Sequence, residues 1–130
     1  MCRLILEELE KSYRHKEPTD LASPYIQIEH IMPQTLSDEW KTMLASEWQR
    51  VHATYLHIIG NLTLSGYNQE LYNDPFPEKR KRLAESNLEL NKYFANVDVW
   101  NESAILMRGK KLADEVAKIW DRPKAPDVVL

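Results

Sequence analysis

The chain has 130 residues, 43% of them hydrophobic and 28% charged, with a formal net charge of −3. That length fits one domain with a single buried core; no apolar run is long enough to cross a bilayer, and the N-terminus MCRLILEELEKSYRHKE mixes apolar and charged residues where a signal peptide would have an apolar core. Cys2 is the only cysteine, which excludes an internal disulfide or a cysteine-rich zinc site and leaves a reduced, cytoplasmic domain as the expectation.

In chain order, residues 3–14 read as a helix, with Leu4, Ile5, Leu9 and Tyr13 at near-helical spacing. Residues 15–24 hold two prolines and small polar residues and read as a connector. Tyr25-Ile26-Gln27-Ile28 is a short strand signal, and Pro33 forces a turn directly after Ile31-Met32. Ser37, followed by Asp38 and Glu39, supplies a capping hydroxyl and then acids at the positive end of a helix dipole. That helix is expected to run to about Val51, with Trp40, Leu44 and Trp48 on one face. The apolar stretch Tyr55–Ile59 leads to Gly60, and Asn61-Leu62-Thr63-Leu64-Ser65 alternates as a second strand that ends in a turn at Gly66. Asn73-Asp74-Pro75 and Pro77 break the chain before a basic helix at residues 78–86. A short helical piece near residues 87–95 precedes a longer helix from Asn101 to about Trp120, with Ile105, Leu112, Val116 and Ile119 facing inward and Gly109 weakening its middle.

The acidic balance argues against nucleic acid at the level of the whole domain, yet the mean hides two basic clusters. Lys79, Arg80, Lys81 and Arg82 are consecutive, and Arg108, Lys110 and Lys111 gather later. A charge run of this kind is commonly a solvated helix face. No HExxH pair supports a zinc protease, and three glycines in total offer no phosphate-cradling loop.

The chemistry-bearing residues fall in IQIEHIMPQ, then HIIGNLTLSGYNQELYND, then PFPEKRKRL. This order of strand, histidine, helical excursion, strand, asparagine, turn, asparagine and basic helix resembles the C-terminal HNH-type nuclease domain of GmrSD-like, modification-dependent restriction enzymes. The acid–histidine pair with a following proline, the GNLTL strand, the asparagine after it, PFPEKRKRL and the late KIWDRP carry the resemblance, from about Pro24 to Pro123. It implies an α+β fold: a small ββα-metal (HNH, or His-Me finger) motif embedded in a mostly helical domain. Residues 1–20 would then be a connecting helix and linker, 21–123 the nuclease domain and 124–130 a tail.

Phosphodiester hydrolysis needs an activated water and a cation that neutralises the phosphate and the leaving oxygen. A histidine accepts a proton near neutral pH, and carboxylate and amide oxygens suit Mg²⁺ or Mn²⁺. By resemblance, His30 is the general base, Glu29 a metal ligand, Asn61 the brace of the finger around the histidine, and Asn68 the second metal ligand. Asn73 competes with Asn68 but has a ready turn explanation beside Pro75. Many relatives place Asp or His before the catalytic histidine; the longer Glu29 leaves direct ligation and ligation through water both open. The paired CxxC knuckles of many HNH proteins are absent, so helix packing, with Trp40, Trp48 and Trp100 as candidates, would replace that zinc.

On this reading Lys79, Arg80 and Arg82 contact DNA phosphates, with Lys79 foremost because relatives carry a lysine at a similar distance past the final asparagine. His57 is read as structural or supporting, and His15 and His52 as surface residues. The expected function is a metal-dependent DNA endonuclease module, with an N-terminal regulatory or nucleotide-binding domain as its partner in the full-length protein and no membrane association. The alternative is a non-catalytic DNA- or protein-binding module that keeps the scaffold.

Overall fold

The computed structural model describes residues 2–13, 24–66 and 74–120. Within them the chain forms α1 (Cys2–Ser12), β1 (Gln27–His30), α2 (Asp38–Leu44), α3 (Trp48–Tyr55), β2 (Leu62–Ser65), α4 (Phe76–Ala84), α5 (Glu89–Lys92) and α6 (Glu102–Trp120). Short 3-10 turns occupy Ala45–Glu47, Ile59–Asn61 and Tyr93–Asn96. The fold is thus α+β, mostly helical around one two-stranded antiparallel sheet. Among the described residues no helix is long and apolar enough to cross a membrane.

β1 lies two residues later than its β-branched signal suggests. The pairing of Gln27 with Ser65, Ile28 with Leu64, Glu29 with Thr63 and His30 with Leu62 sets its limits, while Tyr25 stays outside and exposed. The alternation in LTLS does not mark one wet face: all four residues of β2 are buried. Leu62 and Leu64 pack with Leu6 and Leu9 of α1 and Leu112 of α6. On the other side, the Thr63 hydroxyl donates to Asn91 Oδ1, and Asn91 Nδ2 donates to Leu64 O and to Ser86 Oγ. Asn91 of α5 thereby satisfies polar groups that a strand edge would otherwise leave bare.

The single helix expected over Ser37–Val51 is two helices. Ser37 caps α2 as its hydroxyl predicts, but at Ala45 the backbone enters φ 69°, ψ −158°, where its N–H closes the α2 C-terminus on Lys41 O and Thr42 O. The redirected α3 buries Val51 and brings Arg50 and Tyr55 to Glu102 of α6. Trp48, expected on the Trp40–Leu44 face, is only partly buried and lies under the Lys41 ammonium.

The core divides into two clusters. One gathers Ile31, Met32, Trp40, Leu44, Val51, Phe76, Leu83, Phe94, Trp100 and Ile105; the other is the leucine group around β2. α6 serves both, through Ile105 and Leu112 respectively, and runs unbroken past Gly109. The reason Gly60 is a glycine lies here. A Cβ on Gly60 would stand 2.2 Å from Ile105 O and 3.0 Å from Gly109 N, so the turn leading into β2 rests directly on the α6 backbone.

Candidate functional site

β1 ends at His30, and the chain must then turn within Ile31-Met32-Pro33, all buried. Asn61 holds that turn. Its backbone carbonyl accepts from Ile31 N (2.9 Å), its Oδ1 accepts from Met32 N (2.8 Å) and Trp100 Nε1 (2.9 Å), and its Nδ2 donates to Met32 O (3.0 Å) and Leu56 O (2.9 Å). An asparagine amide offers two donor and two acceptor positions, and here all four are used. Asn61 is wholly buried and fixes the backbone beside His30 without a hydrogen bond to the imidazole. His52, in α3, adds a hydrogen bond to Pro33 O (3.0 Å). Arg108 secures the carbonyls on either side of Asn61, with Nη1 donating to Gly60 O (3.0 Å) and Leu62 O (2.6 Å).

Glu29 and His30 are adjacent in a strand, so their side chains leave on opposite faces. Glu29 points into the protein, where its Oε2 meets Lys79 Nζ at 2.8 Å; the same ammonium donates to His30 O, also at 2.8 Å. Lys79 is 0% exposed and Glu29 5%. Burial pushes the Glu29 carboxyl up and the Lys79 ammonium down, and each opposes the shift of the other. The arrangement follows from α4, whose Phe76, Lys79 and Leu83 form one inward stripe. Lys79 is thus buried and committed to Glu29 and His30 O, and it presents no ammonium to solvent for a phosphate contact. Arg80, next to it, is partly exposed and donates to Val97 O and Asp98 Oδ1, and Arg82 lies on the exposed face.

His30 is partly buried, and its Nε2 lies 3.1 Å from Nδ1 of the exposed His57, with the rings edge to face. Burial first, then His57 and Lys79, lower the His30 pKa to about 4. The ring is therefore neutral at pH 7 and has a lone pair with which to accept a proton. His57, in the turn between α3 and β2, is thus the ring partner of His30. Nothing in HIIGN separates it from an ordinary surface histidine.

Among the described residues no three His, Cys, Asp or Glu side chains gather as a metal-holding group. Glu29 Oε1 makes no hydrogen bond with another described residue, whereas Oε2 is committed to Lys79, so one carboxylate oxygen remains for a cation. Asn68 and its competitor Asn73 lie outside the described residues, as does His15.

The fold and this geometry define an α+β domain whose chemistry-bearing side chains collect where β1 ends, braced from behind by a buried asparagine and two buried cations. Residues 1–115 match the model of the family described as GmrSD restriction endonucleases, C-terminal domain, and the chain belongs to that family. No curated protein and no solved structure matches it.

Proposed function

We propose that this chain is a DNA-cutting module of the HNH (ββα-metal) type, with His30 as general base and one divalent cation, Mg²⁺ or Mn²⁺, held in part by Glu29. The observation that carries the reading is the position of His30. It is the last residue of β1, opposite Leu62, neutral at pH 7, with α4 joined to the strand by the Lys79 hydrogen bonds in the order strand, strand, helix. Membership of a restriction-endonuclease family supports phosphodiester hydrolysis as the reaction.

In this proposal Glu29 Oε1 contributes to the cation site, while Asn68 is the second ligand on sequence order alone. The cation supplies charge neutralisation at the phosphate and the leaving oxygen. His30 accepts the proton of the attacking water; Asn61 and Lys79 hold the His30 backbone so that the ring keeps its direction. Arg80 and Arg82 are the DNA-facing members of the basic helix, as phosphate contacts that position the strand. The modification or sequence recognised would be set by another domain of the full-length protein.

The second reading, a binding module with the same scaffold, draws on one observation: the Lys79 ammonium already neutralises Glu29. Plasmid nicking separates the two. The proposal expects nicking on addition of Mn²⁺ or Mg²⁺, its loss on chelation, and a raised metal requirement in Glu29→Gln. DNA binding without cleavage, in this chain and in the full-length protein, would favour the binding module.

A further inference from the structure

His57 is exposed, sits in a turn, and faces the proposed base through a nitrogen–nitrogen contact of 3.1 Å. Two imidazole nitrogens at that distance attract only when one carries a proton and the other a lone pair. His30 Nδ1 has no hydrogen bond among the described residues and is not sealed from solvent, for the only buried side-chain polar atom without a partner there is Arg108 Nη2. His57 Nε2 belongs to an exposed ring.

We propose that His57 is the proton-relay partner of His30, joining the proposed base to solvent through the Nε2–Nδ1 hydrogen bond. This deepens the reading of His30 given above and rests on it. As the water oxygen bonds to phosphorus, its proton goes to His30 Nδ1. The proton on His30 Nε2 passes to His57 Nδ1, and His57 releases one from Nε2 to solvent. As the bridging P–O bond breaks, the leaving oxygen takes a proton from solvent on the far side of phosphorus, and the reverse movement, a solvent proton in at His57 Nε2 and one out from His30 Nδ1 to solvent, resets the pair. The pair returns to its starting tautomers with no net gain of protons. His57 acts through His30 and positions it by the same bond.

The test is steady-state nicking by the wild-type chain, His57→Ala, His57→Gln and His30→Ala, with thermal melts of each. His57→Ala is expected to melt with the wild type and to lose about 10- to 100-fold in kcat, at the lower end of general acid–base contributions, with KM unchanged. Added imidazole, which can enter the solvent-open gap, restores much of that loss. His57→Gln, which keeps a hydrogen-bonding group but cannot relay a proton, stays as slow as His57→Ala. Wild-type kcat in His57→Ala, full recovery in His57→Gln, or no response to imidazole would each overturn the relay while a dead His30→Ala leaves the base in place. Full activity in His30→Ala would overturn the base itself and the relay with it.

Discussion

Lys79 and Arg108 are conspicuous in the sequence as charge, and only their spacing marks them as buried. Each belongs to a run of basic residues, and such runs ordinarily mark a solvated helix face. The spacing says otherwise: Phe76, Lys79 and Leu83 in α4, and Ile105, Arg108 and Leu112 in α6, repeat at i, i+3 and i+7 and define inward stripes. Each of the two cations then meets main-chain carbonyls next to the site, Lys79 at His30 and Arg108 at Gly60 and Leu62. Burial lowers the Arg108 pKa to about 10, so its charge persists at neutral pH. Removing one member of the buried Lys79–Glu29 pair strands the other. Lys79→Met is expected to cost about 3 kcal/mol in urea unfolding, within the range for broken buried pairs. Adding Glu29→Gln should recover much of it. An unchanged midpoint in Lys79→Met would mean the pair is not buried as described.

At the scale of elements, the strands, the basic helix and the long C-terminal helix could be read from the sequence because their apolar periods and breakers are local. The break between α2 and α3 could not. Ala45-Ser46-Glu47 has no glycine or proline, and the turn there exists because α3 must carry Val51 to the core and Arg50 to Glu102. Ala45 consequently occupies a backbone region that is costly for any side chain. Ala45→Gly should therefore raise stability by about 1 kcal/mol, measured as a higher unfolding midpoint, and a lower midpoint would contradict the strained turn. The two facing glycines make a sharper comparison. Gly60→Ala drives a methyl into the α6 backbone and should cost about 3 kcal/mol, at the upper end for overpacking. A Cβ on Gly109 meets Gly60 at an ordinary 3.7 Å, so Gly109→Ala should instead gain about 0.5–1 kcal/mol of helix stability. Of the candidate site, the acid–histidine pair and Asn61 were legible from motif order. The Lys79 clasp and the His57 contact were not, because both join residues 27 or more positions apart.

At the scale of the whole molecule, α6 ties the two core clusters together, and its first turn is pinned to α3 by Glu102. Both carboxylate oxygens take Arg50, and one also accepts from Tyr55. The bonds from Arg50 and then Tyr55 lower the Glu102 pKa to about 2 from an ordinary 4.5. A depressed carboxyl contributes stability that is fully present above its unfolded value and disappears as pH falls through the folded one. The difference in Tm between the wild type and Glu102→Gln should accordingly be constant above about pH 5 and vanish towards pH 2; a difference independent of pH would show that the pin does not act through charge. The same architecture makes the proposed chemistry at His30 separable from the fold, since among the described residues the half-buried ring makes one side-chain hydrogen bond, to an exposed histidine, while Asn61, Lys79 and Arg108 hold the backbone around it. Plasmid nicking by the wild type and His30→Ala, at saturating Mn²⁺ and with matched melting curves, is therefore the most direct measurement. With His30 as the base, the wild type nicks the plasmid and the variant loses at least about 100-fold, as expected for removal of a general base. Equal nicking rates in two equally folded proteins would contradict it.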